Sequence, residues 1–460
     1  MDQKRIDEYK ESMKEAEIYP EALGQIGSRL NRRIHNKKKK TFLAGLSSVA
    51  AVFVLFVFIV NSKTALANSI FHIPVIGSLA KYVCFDKGLQ NAVKNEYTQE
   101  VNLTDANNGY TLSLPYVIPD SKRLVVFFQI PDKAIHSEDD LIHINIDKIV
   151  NSVTGIKLEN YSSDRFIYPG SELKKNDGLF YIGIRSSEMS IPQDIKIYVT
   201  MSRESTIHDS KIQEDHEIDQ FGATPNTQTE VLGAFEFNLH LKDFPEPKVT
   251  SIDKNIVVKG QTIHINSVVE HPTGTEISVD IPGNNDSIIN GINFKAIDTN
   301  GNEWGHSGGV VSSGPDRIGR MIYYLEGNYY GLAKLDKIQL TGIRLFKKSE
   351  AEITIDLAKM TMTPEISETR IKSISKVGDK ANITLQTIAT SCFGLFNPDY
   401  MDTKGNKYHF DSEGYGTTQD AKKIENFYTV VWPKDNKVIL TRSTSPMLNL
   451  ENPVEIELMR

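Results

Sequence analysis

Residues 41–60, TFLAGLSSVAAVFVLFVFIV, contain no charged residue and constrain the chain more than any other stretch. At about 1.5 Å per helical residue, a run of this length spans the roughly 30 Å hydrocarbon core of a bilayer. A single isolated segment can satisfy its backbone inside a bilayer only as a helix, so the many β-branched residues do not favour a strand. The sequence therefore predicts one transmembrane helix over residues 41–62.

Basic residues cluster on one side of this run. Lys37, Lys38, Lys39 and Lys40 stand directly before it, whereas Lys63 is the nearby basic residue after it. The excess of positive charge is a topology signal that places residues 1–40 in the cytoplasm and the bulk of the chain outside the cell membrane. A cleaved signal peptide is the alternative, with a small-residue triplet at 65–67, but its apolar region would span only about 7 to 15 residues.

Composition limits the partners of the exported part. The net charge is −7 although the first forty residues are basic, so the remainder is acidic and we expect no nucleic-acid partner. Two cysteines, Cys84 and Cys392, cannot form a disulfide framework in a chain of 460 residues. We expect no bridge between them.

Two short apolar stripes precede the predicted membrane helix. Each has spacings of three and four residues, as on one face of a helix, and the members that we expect to bind a partner are Ile6, Tyr9, Met13, Leu23, Ile26 and Leu30. Helices of this length are marginal in water unless they pack against something. One interpretation is a pair of frayed helices on the membrane surface or a disordered charged segment, and the other is docking into a groove of a cytoplasmic partner.

An internal repeat predicts the architecture beyond the membrane helix. Residues 109–131 and 260–282 align without a gap, and a fainter third copy begins at Asn382. The second and third copies also share the stretches DTNGNEW from Asp298 and DTKGNKY from Asp402. Because the copies alternate apolar and polar residues, we expect a mainly β fold with three tandem immunoglobulin-like β-sandwiches.

Proline and polar segments suggest the boundaries. The predicted domains are a cytoplasmic helical segment 1–40, the transmembrane helix 41–62, a membrane-proximal β-sandwich 63–246, a second β-sandwich 247–363 and a third 364–460. The polar stretch 203–229 buries too little apolar surface to fold alone and is expected to be a mobile insertion in the first sandwich.

Motifs for catalysis or cofactor binding are absent from the sequence. It contains no glycine-rich phosphate loop, HExxH, CxxC or Gly-x-Ser-x-Gly motif, so we expect no enzyme, no cofactor and no metal. His208 and His216 lie in a charge-rich segment that is better explained as a solvated loop. The stretch from Asp298 lacks the final glutamate of a calcium loop and predicts a hairpin turn instead. Trp304 and Trp432 are expected to anchor sandwich cores.

Several short motifs resemble a known bacterial family. They are the basic run 37–40, the segment IPVIGS at 73–78, Asp86-Lys87-Gly88-Leu89 and the first strand pair of the first sandwich. Over roughly residues 20–135 the chain resembles membrane-anchored, anti-sigma-factor-like proteins of Gram-positive bacteria, which carry an exported domain of unknown function. The later sandwiches resemble β-domains appended to this family. The chain departs from well-understood anti-sigma factors in lacking their zinc-type His and Cys motif.

The resemblance implies signal transduction to transcription. Residues 1–36 would bind an extracytoplasmic-function sigma factor at the membrane, and the exported sandwiches would sense an unknown extracellular ligand or envelope condition. A structural or adhesive stalk at the cell surface, in which the basic segment is only a topology signal, is the main alternative. An exported enzyme is a third class.

Overall fold

The structure is a computed structural model that describes residues 79, 82–83, 86–163, 167–186, 190–206, 227–306, 312–313, 320–388, 394–418 and 423–458. All helices and strands below belong to the compact unit Ala80–Arg460. None of the helices that the described residues form has the length and apolar character that a membrane span requires. The predicted span 41–62 lies outside the described residues, as do the six predicted partner-binding residues and Lys37–Lys40.

The first sandwich follows a short helix, α1 (Lys87–Lys94). One sheet has the order β1-β2-β3-β7-β5 and the other β6-β4-β8-β9, and neighbouring strands are antiparallel. Alternate residues point between the sheets, where Phe128, Phe235 and Phe237 lie in a buried aliphatic and aromatic core. The strands are β1 (Gln99–Asn107), β2 (Tyr110–Pro119), β3 (Arg123–Gln129), β4 (Leu141–Asn151), β5 (Tyr161–Ser163), β6 (Ile167–Pro169), β7 (Leu179–Ser186), β8 (Asp194–Thr206) and β9 (Thr227–His240), with helix α2 (Gly170–Lys175) before β7.

The second sandwich pairs the sheet β10-β11-β12-β16-β15 with the sheet β14-β13-β17-β27. Phe294, Trp304 and Tyr323 are among the large side chains of its core. Its strands are β10 (Lys248–Val258), β11 (Gln261–His271), β12 (Gly274–Asp280), β13 (Ser287–Asp298), β14 (Glu303–Trp304), β15 (Ser312–Ser313), β16 (Arg320–Leu325), β17 (Leu335–Lys347) and β27 (Leu448–Glu457).

The third sandwich lies, in sequence, between β17 and β27. Its sheets have the orders β19-β18-β26-β22-β23 and β20-β21-β25-β24. Because β21 pairs directly with β25, no counterpart of β3 or β12 lies between them, which explains why the third repeat is faint. The strands are β18 (Glu352–Asp356), β19 (Thr361–Thr363), β20 (Thr369–Val377), β21 (Lys380–Ile388), β22 (Phe396–Asp402), β23 (Lys407–His409), β24 (Ser412–Thr417), β25 (Lys423–Val431) and β26 (Lys437–Arg442).

The structure explains the repeated DTxGN stretches. Asp298 Oδ1 accepts the N–H groups of Asn300 and Asn302, each at 2.9 Å, and Oδ2 accepts the indole N–H of Trp304. Asp402 repeats the pattern in the third sandwich, with Tyr408 in place of Trp304. Both stretches close hairpins with a glycine at φ +83°, so the predicted turns are confirmed. Trp304 lies in a core, as predicted, and Trp432 packs against the third core.

The strand pairing divides the chain differently from the sequence-based boundaries. Residues 352–363 form β18 and β19 of the third sandwich rather than the end of the second. Residues 448–457 form β27 of the second sandwich rather than the end of the third, because β27 pairs with β17. The two ends of the predicted insertion 203–229 are also strand, since β8 and β9 remain paired as far as Thr206 and Thr227.

Candidate functional site

Helix α1 begins because Asp86 caps it. Asp86 has extended backbone dihedrals, and its Oδ1 accepts the N–H of Leu89 at 3.0 Å, which satisfies one otherwise unpaired donor of the first turn. One face of the helix is buried, and it carries Leu89, Ala92 and Val93. Lys94 in the last turn lies favourably at the negative end of the helix dipole.

The same carboxylate anchors α1 to the first sandwich. Asp86 Oδ2 lies 2.9 Å from Nη1 of Arg123, at the start of β3, and both side chains are almost fully buried. Arg123 Nη1 also donates to the backbone oxygen of Thr273 at 3.1 Å, in the turn between β11 and β12 of the second sandwich. One guanidinium therefore connects the helix to both sandwiches.

Asp120 holds the facing turns of the two sandwiches together. Its Oδ1 accepts the N–H groups of Lys122 at 2.8 Å and Arg123 at 2.6 Å, which shapes the turn between β2 and β3. Its Oδ2 accepts the N–H of Thr273 at 3.1 Å and the hydroxyl of Thr273 at 2.5 Å. Asp120 is 1% exposed and Thr273 is fully buried, so these bonds are shielded from water.

The second sandwich contacts α1 directly as well. Glu326, just after β16, accepts the N–H of Lys87 at 3.0 Å through Oε1 and the N–H of Gly305 at 3.3 Å through Oε2. Burial raises the pKa of Glu326 above its usual range, although hydrogen bonds from the N–H groups of Lys87 and Gly305 and the charge of Lys87 oppose this. A Cβ at Gly88 would lie 2.4 Å from the backbone nitrogen of Gly327, so only glycine allows this approach.

His271 adds a titratable group to the junction. Its ring lies between Ser121 Oγ, 3.5 Å from Nδ1, and Glu276 Oε2, 3.5 Å from Nε2. Burial alone would lower the pKa of His271, and Lys122 acts in the same direction. The carboxylates of Glu276 and Asp120 outweigh them, and the pKa is raised. We call the contacts among α1, the turn 120–123, the turn 271–274 and residues 326–327 the α1 junction.

A second junction joins the second and third sandwiches. Arg442, at the end of β26, lies 2.9 Å from Glu350 Oε2 and also pairs with Glu368. Its guanidinium stacks over Phe346 of β17 at 4.6 Å. The chain crosses here twice, once from β17 to β18 and once from β26 to β27.

A cavity of about 340 Å³ opens at one edge of the third sandwich. Phe396 and Tyr428, whose ring centroids are 5.6 Å apart, form part of its lining, together with Glu413, Tyr415, Gly394 and Gly414. Glu413 lies directly opposite Tyr428 across β24 and β25. Aromatic faces beside a carboxylate can bind an ammonium group.

These sites relate to the sequence predictions in different ways. The motif Asp86-Lys87-Gly88-Leu89 forms the core of the α1 junction, but its partners Arg123, Thr273 and Glu326 were not singled out from the sequence. A basic residue that opens an otherwise apolar run, as in RLVVFF of β3, is a sequence signal that could have pointed to Arg123. His208, His216, Cys84 and Cys392 lie outside the described residues.

Comparisons with known proteins give two family matches. Residues 37–132 match a domain of unknown function (DUF4179), and residues 247–366 match a family of unknown function (DUF5643). No curated protein matches the chain. A solved structure, the crystal structure of the conserved domain protein from Bacillus anthracis, is 11% identical, with coverage of 75% of this chain and 92% of that chain and a TM-score of 0.35. The α1 junction joins the two matched regions, because Asp86 and Arg123 lie in the first and Thr273 and Glu326 in the second.

Proposed function

We propose that this protein is a single-pass transmembrane regulator of the anti-sigma-factor-like type. Residues 1–36 bind an extracytoplasmic-function sigma factor through Ile6, Tyr9, Met13, Leu23, Ile26 and Leu30. Residues 41–62 cross the cell membrane with Lys37–Lys40 on the cytoplasmic side, and the three sandwiches lie outside. The match of residues 37–132 to a domain of unknown function supports this proposal, since it falls on the stretch that carries the family resemblance.

The observation that carries the proposal is the α1 junction. Helix α1 follows the predicted membrane span in sequence, and it is bound to both of the first two sandwiches by buried charged groups. A change in the relative position of the two sandwiches must break or lengthen these hydrogen bonds and ion pairs. Their side chains cannot follow such a movement, because the site is buried and closely packed. The junction is therefore suited to pass a change in the exported region to the chain that leads to the membrane.

A ligand that triggers such a change could bind in the cavity of the third sandwich. Its aromatic side chains and Glu413 favour a ligand with an ammonium group, and its volume lies within the range for small-molecule sites. The second junction, with its two chain crossings, would carry the effect to the second sandwich.

Capture of a sigma factor tests the proposal. The full chain, solubilised from membranes in detergent, should co-purify with a sigma factor identified by mass spectrometry. Replacement of Leu23, Ile26 and Leu30 by Asp should abolish capture, because charged side chains on the apolar stripe cannot enter a hydrophobic groove. Replacement of the polar Glu11, Lys14 and Gln25 by Ala is the matched control and should leave capture intact. A wild-type chain that captures no sigma factor would contradict the proposal.

A surface stalk without a signalling role is the second candidate function. The two crossings between the second and third sandwiches and the buried Arg442 favour it, since they stiffen the array. Deletion of residues 1–36, with Lys37–Lys40 kept, separates the two functions. A regulator loses its effect on transcription, and a stalk keeps its surface role.

A further inference from the structure

Among the residues that the structure describes, the α1 junction holds more buried carboxyl groups than buried guanidinium groups. The buried or largely buried carboxyl groups are those of Asp86, Asp120, Glu276 and Glu326. The guanidinium groups belong to Arg123 and Arg185, which lie directly opposite each other on β3 and β7. Arg185 reaches the second sandwich, where its Cζ lies 4.7 Å from the ring centroid of Tyr324. Because carboxylates that share a buried site repel one another, a site of this composition favours the binding of protons.

Two lysines at the rim of the junction offset part of this excess of negative charge. Lys87 Nζ lies 3.8 Å from Glu326 Oε2, but the Lys87 side chain is 56% exposed. Lys122 is half-buried in the turn 120–123. Water and salt screen exposed charges more than buried ones, so the two lysines compensate the buried carboxylates only in part.

His271 is the first group at which the junction can take up a proton. Its Nε2 lies 3.5 Å from Glu276 Oε2, and its Nδ1 lies 3.5 Å from Ser121 Oγ. A neutral imidazole donates from one nitrogen only, whereas the protonated ring donates from both, so two oxygens at opposite sides suit the protonated ring. Burial and the charge of Lys122 lower the pKa of His271, but Glu276 and Asp120 outweigh them and the pKa is raised.

Glu326 is the second such group, and it lies on the α1 side of the junction. Its side chain is 8% exposed, and burial raises its pKa. The charge of Asp86 acts in the same direction, whereas hydrogen bonds from backbone N–H groups and the charge of Lys87 act in the opposite one. His306, just after β14, donates through Nδ1 to a backbone oxygen of β16 at 2.6 Å, and burial lowers its pKa. This ring therefore adds no positive charge above its ordinary pKa of 6.5.

We propose that the α1 junction is a proton-binding site, in which protons held at His271 and Glu326 stabilise the docked position of α1 between the first two sandwiches. Higher pH removes these protons, leaves the buried carboxylates less compensated and loosens α1. Both pKa values are raised in the docked state, so the stabilisation is fully present below the ordinary values of 6.5 and 4.5 and is lost as pH rises through the docked-state values. An effect of this loosening on transcription rests on the proposed function, whereas the proton dependence of docking does not.

Hydrogen exchange of the full chain in detergent tests this proposal. The exchange rates of the amides of Lys87–Lys94 are measured from about pH 6 to pH 9, and each is divided by the rate of an unstructured peptide at the same pH. The resulting opening equilibrium of α1 should rise with pH in the wild type. The rise should reach up to about tenfold per pH unit for each proton that is released.

The variant with both His271→Gln and Glu326→Gln cannot bind the two protons, so its opening equilibrium should not change with pH. His409→Gln is the matched control. It removes a histidine that is 71% exposed beside Asp399 in the third sandwich, and it should keep the wild-type pH dependence. A wild-type opening equilibrium that is the same at every pH, or a pH dependence that persists in the double variant, would overturn the proposal.

A direct titration of His271 keeps the proposal testable if the double variant fails to fold. The Cε1–H resonance of His271 is followed by NMR in the full chain with 13C-labelled histidine, and it is assigned by its loss in His271→Gln. Its midpoint should lie above the ordinary pKa of 6.5, and a midpoint at or below that value would overturn the proposal. Capture of a sigma factor is a separate measurement, so a failure of the proposed function is distinguishable from a failure of this inference.

Discussion

Removal of the Asp86 carboxylate is the perturbation that most specifically loosens the α1 junction. Asp86 has two roles, since Oδ1 caps α1 through the N–H of Leu89 and Oδ2 pairs with Arg123. Asp86→Asn keeps a good capping oxygen but leaves the buried guanidinium of Arg123 without this carboxylate. Asp86→Ala removes both interactions.

The two variants should differ in stability by the free energy that the N-cap hydrogen bond of Asp86 contributes. Loss of one member of a buried ion pair costs about 3 to 5 kcal/mol, so Asp86→Asn should destabilise the docked helix by about 3 kcal/mol. The retained bond from Arg123 to Thr273 places the value at the lower end. Asp86→Ala should cost about 1 kcal/mol more, which is typical of a lost N-cap.

Hydrogen exchange measures these differences at the helix itself. The amides of Lys87–Lys94 should exchange about a hundredfold faster in Asp86→Asn, since each 1.4 kcal/mol is a factor of ten in the opening equilibrium. Asp411→Asn is the control. It removes an exposed pair with Lys380 and should leave exchange in α1 unchanged. Wild-type exchange rates in Asp86→Asn would refute the inference that this ion pair holds the helix.

Three further predictions follow from the two junctions. Gly88→Ala should destabilise α1 docking by about 1 to 3 kcal/mol because its Cβ would meet backbone, whereas Gly283→Ala, in open space, should change unfolding by less than about 0.5 kcal/mol. The pKa of His271 is raised, so its stabilising contribution is fully present below the ordinary pKa of 6.5 and is lost as pH rises through the folded-state value. Thermal unfolding of wild type and His271→Gln across this range checks the sign, and an equal pH slope in both would contradict it. Arg442→Met should destabilise the third sandwich by about 2 to 3 kcal/mol, because Glu350 and Glu368 lose a buried partner, while Arg320→Met, at an exposed pair, should cost under about 1 kcal/mol in denaturant unfolding.

The sequence predicted the parts of the fold that depend on local patterns. Alternation of apolar residues and the gapless repeat predicted the strands β2, β3, β11 and β12. The DTxGN stretches predicted the hairpin turns that join β13 to β14 and β22 to β23. These features can be predicted from the sequence because each strand and each turn is determined by residues that are close in sequence. The mainly β architecture follows from them.

The membership of β18 in the third sandwich and of β27 in the second was not predictable in the same way. Both strands alternate aliphatic and polar residues and are followed by a leucine, so the local pattern does not show which sandwich each one completes. The sequence-based boundary at residue 363 therefore assigned β18 to the second sandwich and β27 to the third. The α1 junction was missed for a related reason. Asp86, Arg123, Thr273 and Glu326 are far apart in sequence. The motif at 86–89 and the basic residue that opens β3 stand out locally, but neither identifies its partners in the buried site.

The proposed function depends on coupling, through the α1 junction, between the exported sandwiches and a cytoplasmic regulatory segment. The most direct test compares whole-cell transcripts in cells that express, at equal membrane levels, the wild type, the Asp86→Asn variant or the variant with Leu23, Ile26 and Leu30 replaced by Asp. If the junction provides this coupling, both variants alter a common set of transcripts relative to wild type. Unchanged transcripts in the Asp86→Asn cells, beside a clear effect of the cytoplasmic replacements, would contradict coupling through the junction, and no effect of either would contradict the regulatory function itself.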